Sequence, residues 1–533
     1  MSKIYDVAIV GSGFAGSILA RALHYHGQRV LLLEKGQHPR FALGESTTPL
    51  ANFALERLAV RYRMPDLWQL STHGRWLRYR DDLRRGLKRG FTFYRHESGQ
   101  PFSNSEANEN RLLVAASPTD AVADTHWMRS DVDAHLVRQA ALEGVHVFDR
   151  TEVDGVEVTD KGVVVSARAE GERMFFEVGH VVDATGPAAA VAKAAGWGEL
   201  VERMPVKSGL LATHLEGAGN ILRGGFASLA EQGGARLELG AYADEIAAVH
   251  HLVDEGWIYV LPFDHGPASV GIILATEEER SAAGVSPELA WRDILSRYPT
   301  LARQLLPCRT LRPITFVEHQ QHLMERSVGE RIFLLPHAYC FVDPMFSTGL
   351  AWSLLAVERL ADILTGNGEW TPEDYSTRLR AEAERIAGLV DMAYRTRHDF
   401  AAFAAVSQLY FITVSFLEAR QRLLPEDVVP PAWEGFLGIG DPLINDVFAA
   451  ASKRVRGGQL EGFGDWLAAE LAPRNIAGLA DPGRRNLYPV DLDALVQRSA
   501  LLGLERHEVE EALPRLRGEI DPPLDMTPRA LVI

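Results

Sequence analysis

The sequence predicts an α/β protein: a Rossmann-like core, an inserted antiparallel sheet and a helical C-terminal part. Three observations predict it. A strand, a glycine loop, a helix and a second strand open the chain in "IYDVAIVGSGFAGSILA" and "RVLLLE". Apolar and polar residues alternate through residues 145–185. After about residue 350 the composition turns helical.

Residues 4–10 are apolar enough for a buried strand, 14–26 have helical spacing, and 29–34 form a second strand. Between them, Gly11 permits a tight turn and Gly13 lets a pyrophosphate approach the backbone. Gly16 allows close helix–strand packing. The helix N-terminus turns its free N–H groups toward a phosphate. Glu34 closes the second strand, where a carboxylate accepts ribose hydroxyls. This fingerprint binds a dinucleotide and leaves NAD and FAD both open. Residues 75–120, rich in Arg, Asn, Ser and aromatics, read as strands and loops. A helix follows over 131–144, with Gly144 as its stop. Residues 145–185 read as an antiparallel meander feeding one more buried strand. Segments 208–217, 235–242 and 257–275 read as a second sheet, and Pro-rich breaks at 425–432 and 521–527 punctuate the helical end.

A chain of 533 residues accommodates two or three domains. Its net charge of −16 argues against nucleic acid and against docking to anionic lipid. Two cysteines, Cys308 and Cys340, fit a reducing compartment, and no Cys/His spacing suits zinc, so no metal is expected. The N-terminus runs into a strand without a cleavable pattern. Residues 400–417 are uncharged and approach the ~20 residues that span a bilayer. They carry Ser407, Gln408, Thr413 and Ser415 between Asp399 and Glu418, which favours a buried helix. A cytoplasmic protein without stable membrane insertion is expected.

"WMRSDVDAHL" (127–136) and "VVDATG" (181–186) resemble the FAD-binding fold of the aromatic hydroxylase and halogenase superfamily. That resemblance implies FAD. It also implies that Arg129 approaches the flavin nucleotide and that the Ala184–Gly186 turn packs beside it. Four further segments, "HPRFALGES" (38–46), "LKRGFTF" (87–93), "GWIYVLP" (256–262) and "FVDPMFSTGL" (341–350), resemble the FADH2-dependent halogenases in matching order. The pattern is most similar to the pyrrolnitrin-type chlorinases acting on a free phenylpyrrole, and to the phenol-directed members. It covers roughly residues 4–365.

The resemblance implies that reduced FAD from a separate flavin reductase, with O2 and chloride or bromide, yields hypohalous acid. This then halogenates an electron-rich aromatic small molecule, a phenol or pyrrole of secondary metabolism. Gly44, Glu45 and Ser46 would line the flavin, with Asp343 also at the cofactor. Ser347, Thr348 and Gly349 would seat the halide on backbone N–H groups, which hold an anion without a quenching cation. Lys88 would deliver the electrophile as a hydrogen-bond donor or haloamine. Strand alternation puts Lys88 with Gly90 and Thr92, opposite Phe91 and Phe93.

Departures from the family pattern carry information. Trp257 is retained as an obstruction beside the flavin, but Tyr259 and Leu261 replace the family's second Trp and its Ile. Pro336 and His337 replace the Gly-Asp of hydroxylases, and "DATGPAAAVAK" lacks their Asp-Gly segment. Both favour a two-component enzyme. Phe346 stands where tryptophan-type halogenases place a glutamate, which disfavours tryptophan as substrate. His96, Glu97, Asp124 and His126 are candidate bases on the substrate side. An FAD-dependent monooxygenase or prenyl-chain reductase of the same fold is the alternative, and a flavin-binding protein without turnover is a third reading.

The implied organisation is a βαβ core (1–75), substrate-side strands bearing Lys88 (76–125) and the core continued (126–200). An inserted sheet (201–300), core with the halide turn (301–365) and a helical C-terminal domain (366–533) complete it.

Overall fold

The computed structural model describes residues 5–218, 242–368, 370–424 and 436–521. The expected strand at 235–242, except Tyr242, and the Pro-rich breaks, except Asp521, lie outside the described residues.

The chain opens with β1 (Tyr5–Val10), α1 (Phe14–Tyr25), β2 (Val30–Leu33) and α2 (Pro49–Arg61). Four short strands follow: β3 (Arg85–Lys88), β4 (Gly90–Arg95), β5 (Arg111–Ala115) and β6 (Asp124–Trp127). After α3 (Arg129–Glu143) come β7 (His146–Phe148), β8 (Thr151–Thr159), β9 (Gly162–Ala169) and β10 (Glu172–Asp183). Next are β11 (Gly209–Glu216), β12 (Ala248–Val253), β13 (Gly256–Pro262), β14 (Ala268–Leu274) and β15 (Ile332–Leu334). Three long helices lead the C-terminal part: α4 (Gly349–Thr365), α5 (Pro372–Thr396) and α6 (Phe400–Leu423).

β7, β2, β1, β10 and β15 pair in parallel, and β9 and β8 extend the sheet antiparallel from the other half of β10. β2 is apolar and buried throughout and β1 is so apart from Asp6, as central strands of a parallel sheet covered on both faces are. Their registers bring Val10, Leu33, Asp183 and Leu334 to one edge, where ligands of such sheets bind. α3 ends at Gly144 in a left-handed conformation, φ 108°, as its sequence position requires.

The second sheet runs β11, β14, β13, β12, β4, β5. Alternation divides its side chains between two cores. Phe91, Phe93, Leu252, Trp257, Tyr259 and Ile273 face the main one. Tyr94, Val249, Ile258 and Ile272 face a separate core closed by Trp291, Ile294 and Leu301. β12 is the strand that the sequence reading lacks: "AVHHLV" is six residues with no clean alternation.

α6 is the one described helix long and apolar enough to cross a membrane, and 83% of its apolar window is buried inside the fold. Its Phe403 and Phe411 lie edge-on against Phe93 and Phe91, with ring centroids 5.4 and 5.1 Å apart. The apolar composition thus serves an internal wall. α4 is tied to α5 by Arg359, which donates to Glu382 at 2.8 and 2.9 Å with both side chains fully buried. Trp352 donates to the same carboxylate at 2.8 Å.

Candidate active site

The glycine loop shows why its residues have no side chains. Gly11 adopts φ +104°, and a Cβ there would strike the carbonyl of Ala184 in the "VVDATG" turn. A Cβ on Gly16 would strike the Gly11 carbonyl. α1 begins after Gly13 with no side-chain cap, so the first-turn N–H groups remain available to a phosphate. Glu34 shapes this loop: it accepts from Ser12 N at 3.1 Å, Ser12 Oγ at 3.0 Å, Gly36 N at 2.9 Å and Arg40 at 3.2 Å. Burial alone would raise its pKa, but Arg40 and the bonds from Gly36 and Ser12 outweigh it and hold the carboxyl below its ordinary range.

Arg129 is more committed than expected. Its guanidinium pairs with buried Asp133 at 2.9 and 2.8 Å and donates to the carbonyls of Leu43 and Gly44 at 2.8 and 3.0 Å. It therefore clamps the "GES" turn onto α3. Its Nη2 also lies 3.7 Å from where a Gly13 Cβ would stand, so it borders the phosphate position. In the turn itself Gly44 has φ +87°, and Ser46 forms an isolated bridge with His126 while its buried Oγ lacks a protein partner. The open helix terminus, Arg129 beside Gly13 and the orphaned Ser46 hydroxyl fit a flavin nucleotide. Glu45 turns away from the expected role: its carboxylate bonds His214 of β11 at 3.0 Å. The turn is thereby fastened to the second sheet.

Asp343 departs from the expected cofactor contact. It accepts from Tyr394 Oη of α5 at 2.6 Å and from Met345 N at 3.0 Å. Both oxygens are thus spent inside the core, where burial pushes the carboxyl up to about 7. Its place is beneath the "DPMFSTG" turn, shaping it.

In that turn Ser347 has φ +50°, a left-handed conformation uncommon for a side-chain-bearing residue. Thr348 occupies the N-cap of α4 without a side-chain bond, so the dipole end and first N–H groups of the helix stay uncapped by side chains. Gly349 begins the helix, and a Cβ there would lie 2.7 Å from His337 Nε2. The histidine that replaces the hydroxylase aspartate therefore packs directly on the turn. Burial, with Arg129 adding to it, pushes its pKa down to about 4, keeping the imidazole neutral there.

Lys88 is fully buried. Its Nζ donates to the Thr47 carbonyl and lies 4.1 Å from the centroid of the Phe91 ring. This corrects the expected facing: Lys88 and Phe91 meet. β3 pairs with β6 whereas β4 pairs with β5 and β12, so the chain changes ladders at Arg89 and the period of two is broken. The neighbouring arginines do not form a solvated patch with it. Arg84 binds Asp131, Arg85 binds the Leu83 carbonyl, and Arg89 binds Asp120.

Around Lys88 the wall is aromatic. Phe91 and Phe93 stack near His250 of β12, whose ring centroid lies 4.6 Å from that of Phe93 and 5.3 Å from that of Trp257. Tyr259 lies 6.1 Å beyond Trp257 and rests its ring on Gly271, where a Cβ would collide. Phe346 is buried, its ring 4.9 Å from that of Tyr410, and its carbonyl accepts from Tyr410 Oη at 2.9 Å. His250 and Tyr410 were absent from the sequence-derived set, since neither lies near a recognisable motif.

The candidate bases separate clearly. Asp124 is the ladder partner of Lys88. His126 is buried with Nε2 3.3 Å from the Ala247 carbonyl, and burial with Lys88 nearby pushes its pKa down to about 3. His96 does not join the site: it bonds His251 at 3.0 Å among Phe102 and Tyr298, on the far face of the second sheet. Glu97 is exposed.

The chain thus joins a glycine-loop dinucleotide fold to a buried, aromatic-walled lysine within one α/β architecture. The chain belongs to the FAD dependent oxidoreductase family, whose sequence pattern matches residues 6–335. It is similar to the tetracycline 7-halogenase of Kitasatospora aureofaciens, 29% identical over 380 residues. That match covers 67% of this chain and 64% of the relative, so it spans a little under two thirds of that enzyme. It is also similar to the monodechloroaminopyrrolnitrin halogenase PrnC of Pseudomonas fluorescens, 28% identical over 422 residues, covering 77% and 71% of the two chains. The solved structure of halogenase PltM with phloroglucinol and FAD superimposes with a TM-score of 0.77 at 22% identity, covering 91% of this chain and 99% of that one.

Proposed function

We propose that this protein is a flavin-dependent halogenase acting on an electron-rich aromatic small molecule, a phenol or pyrrole of secondary metabolism. A separate cytoplasmic flavin reductase supplies its reduced FAD. The observation that carries the reading is the fully buried Lys88 amine in an aromatic wall, with Trp257 and Tyr259 on that same wall and Tyr259 resting on Gly271. The similarity to two named halogenases supports it.

Bound in its reduced form, FAD would activate oxygen, and that oxygen would supply the oxidising equivalents that turn chloride or bromide into hypohalous acid. The chain's own residues handle what precedes and follows. Gly11, Gly13, Gly16, Arg129 and Ser46 seat the nucleotide. Thr348 and Gly349 offer uncapped backbone N–H groups to the halide, and neutral His337 beside them adds no positive charge of its own. Trp257 and Tyr259 keep the aromatic substrate away from the flavin, so that the small oxidant crosses and the substrate does not. Lys88 receives it: burial lowers the amine's pKa while Asp124 opposes that fall, which keeps both protonation states within reach. Phe346 provides no carboxylate, which suits a ring activated by its own hydroxyl or N–H.

The two free cysteines accord with a reducing cytoplasm. The test supplies a flavin reductase, oxygen, and chloride or bromide with a panel of phenols and pyrroles, and reads halogen isotope patterns by mass spectrometry. Halogenated product is expected, and Lys88→Ala is expected to remove it while reduced flavin is still oxidised. Hydroxylated or saturated product without halogen refutes the reading.

A further inference from the structure

We propose that Asp124 is a catalytic residue, the base that takes the hydroxyl or N–H proton of the aromatic substrate as the halogen arrives from Lys88. The inference rests on the halogenase reading above and assigns the site a proton acceptor.

The β3–β6 ladder sets Asp124 directly opposite Lys88, so both side chains leave the ladder on one face. The carboxyl is fully buried. Oδ1 accepts from Asn52 Nδ2 of α2 at 2.8 Å, while Oδ2 has no protein partner. A buried carboxylate oxygen left bare is costly, and a donor from outside the protein relieves that cost. A phenol O–H or pyrrole N–H is such a donor.

The other charges nearby are already engaged. On α6, Arg422 pairs with Glu418 at 2.6 Å and with Glu56 at 3.3 Å, and it does not bond Asp124. Tyr410 Oη is committed to the Phe346 carbonyl. At position 346 itself there is no carboxylate, and Asp124 is the carboxylate set across the ladder from the lysine.

The step balances as follows. A ring carbon attacks the halogen of hypohalous acid held at Lys88; the carbon–halogen bond forms and the halogen–oxygen bond breaks. The departing hydroxide takes a proton from the Lys88 ammonium and leaves as water, while the substrate O–H proton passes to Asp124. The halogenated ring carbon then loses its proton to the Lys88 amine, and Asp124 returns its proton to the substrate oxygen. An aromatic C–H and HOX become C–X and water, and both residues regain their starting charge.

The experiment compares a phenol that the enzyme halogenates with its methyl ether, and a pyrrole with its N-methyl analogue, in the reconstituted holoenzyme. Asp124→Asn is expected to slow the phenol or N–H substrate by on the order of 100-fold more than the methylated one. Formate is expected to restore part of the phenol rate in Asp124→Ala. Equal losses on the free and methylated substrates overturn the assignment. Thermal melting and FAD uptake check the fold. Should both variants fail to fold, Asp124→Glu serves: retained preference for the free hydroxyl supports the base and loss of it refutes it. Absence of halogenated product from the wild type with any acceptor, including a trap for free hypohalous acid, overturns the halogenase reading and this proposal together.

Discussion

At the glycine loop the main chain is left bare of side chains, whereas around Lys88 side chains from β3, β6, α2 and α6 converge. The first region is continuous in sequence: Gly11, Gly13, Gly16 and Glu34 belong to one βαβ unit, and Ser12 and Gly36 complete it locally. The second is assembled from distant stretches, with Asn52, Lys88, Asp124 and Tyr410 brought together only by one two-stranded ladder and two helices. The first is shaped by leaving side chains out; the second is shaped by burying charged ones. The two halves should therefore fail differently.

The largest expected effect lies on the flavin side. Arg129→Ala leaves Asp133 as an unpaired buried charge and frees the 43–44 turn, and should cost about 3–5 kcal/mol, read from urea unfolding of the flavin-free protein. A cost below about 1 kcal/mol would show that the turn is held by something else. Next is Lys88→Met, which keeps the bulk of the stem and removes the amine. Product formation should fall by on the order of 100-fold or more, with FAD uptake as the control.

The pH dependence of stability should split the two halves by sign. Glu34 is held low in the fold, so its contribution is present above the ordinary carboxylate pKa and lost as pH falls through the lower folded value. Asp343, pushed up to about 7, contributes in the opposite sense: the folded state keeps the proton longer, and its share is lost as pH rises toward 7. Each slope is at most about 1.4 kcal/mol per pH unit. Glu34→Gln should flatten the acid limb of the melting temperature, and Asp343→Asn the limb between about 4 and 7. The smallest expected effect is Tyr410→Phe, which removes one bond to the Phe346 carbonyl and should cost about 1 kcal/mol in stability, with a modest fall in rate.

Legibility in the sequence follows the same division. The first sheet, α1, α3 and the Gly144 stop were readable because each depends on neighbours a few residues away. β11, β13 and β14 fall in the segments 208–217 and 257–275 read as a second sheet, whereas β12, with His250, was not read, because its six residues carry no distinctive pattern. Lys88 was found from its motif, yet its facing was misjudged, since alternation holds only while a strand stays in one ladder. Arg129, Glu45 and Asp343 were located as cofactor-side residues, but the protein partners that hold each of them in place were not readable. Those partners, Asp133, His214 and Tyr394, fix the turns around them, and His214 and Tyr394 lie far off in sequence. Asp124 was one candidate among four until the ladder singled it out.

The change of ladder at Arg89 has a consequence for anyone recombining this enzyme with a relative. A crossover point placed anywhere between β3 and β4 would give Lys88 one parent's ladder and Phe91 the other's. A single inserted or deleted residue there would leave each sheet intact yet rotate the amine out of register with the ring it rests on. Such a chimera would fold, take up flavin and make no product. The joint between the sheets, rather than either sheet, is the unit that must be inherited whole.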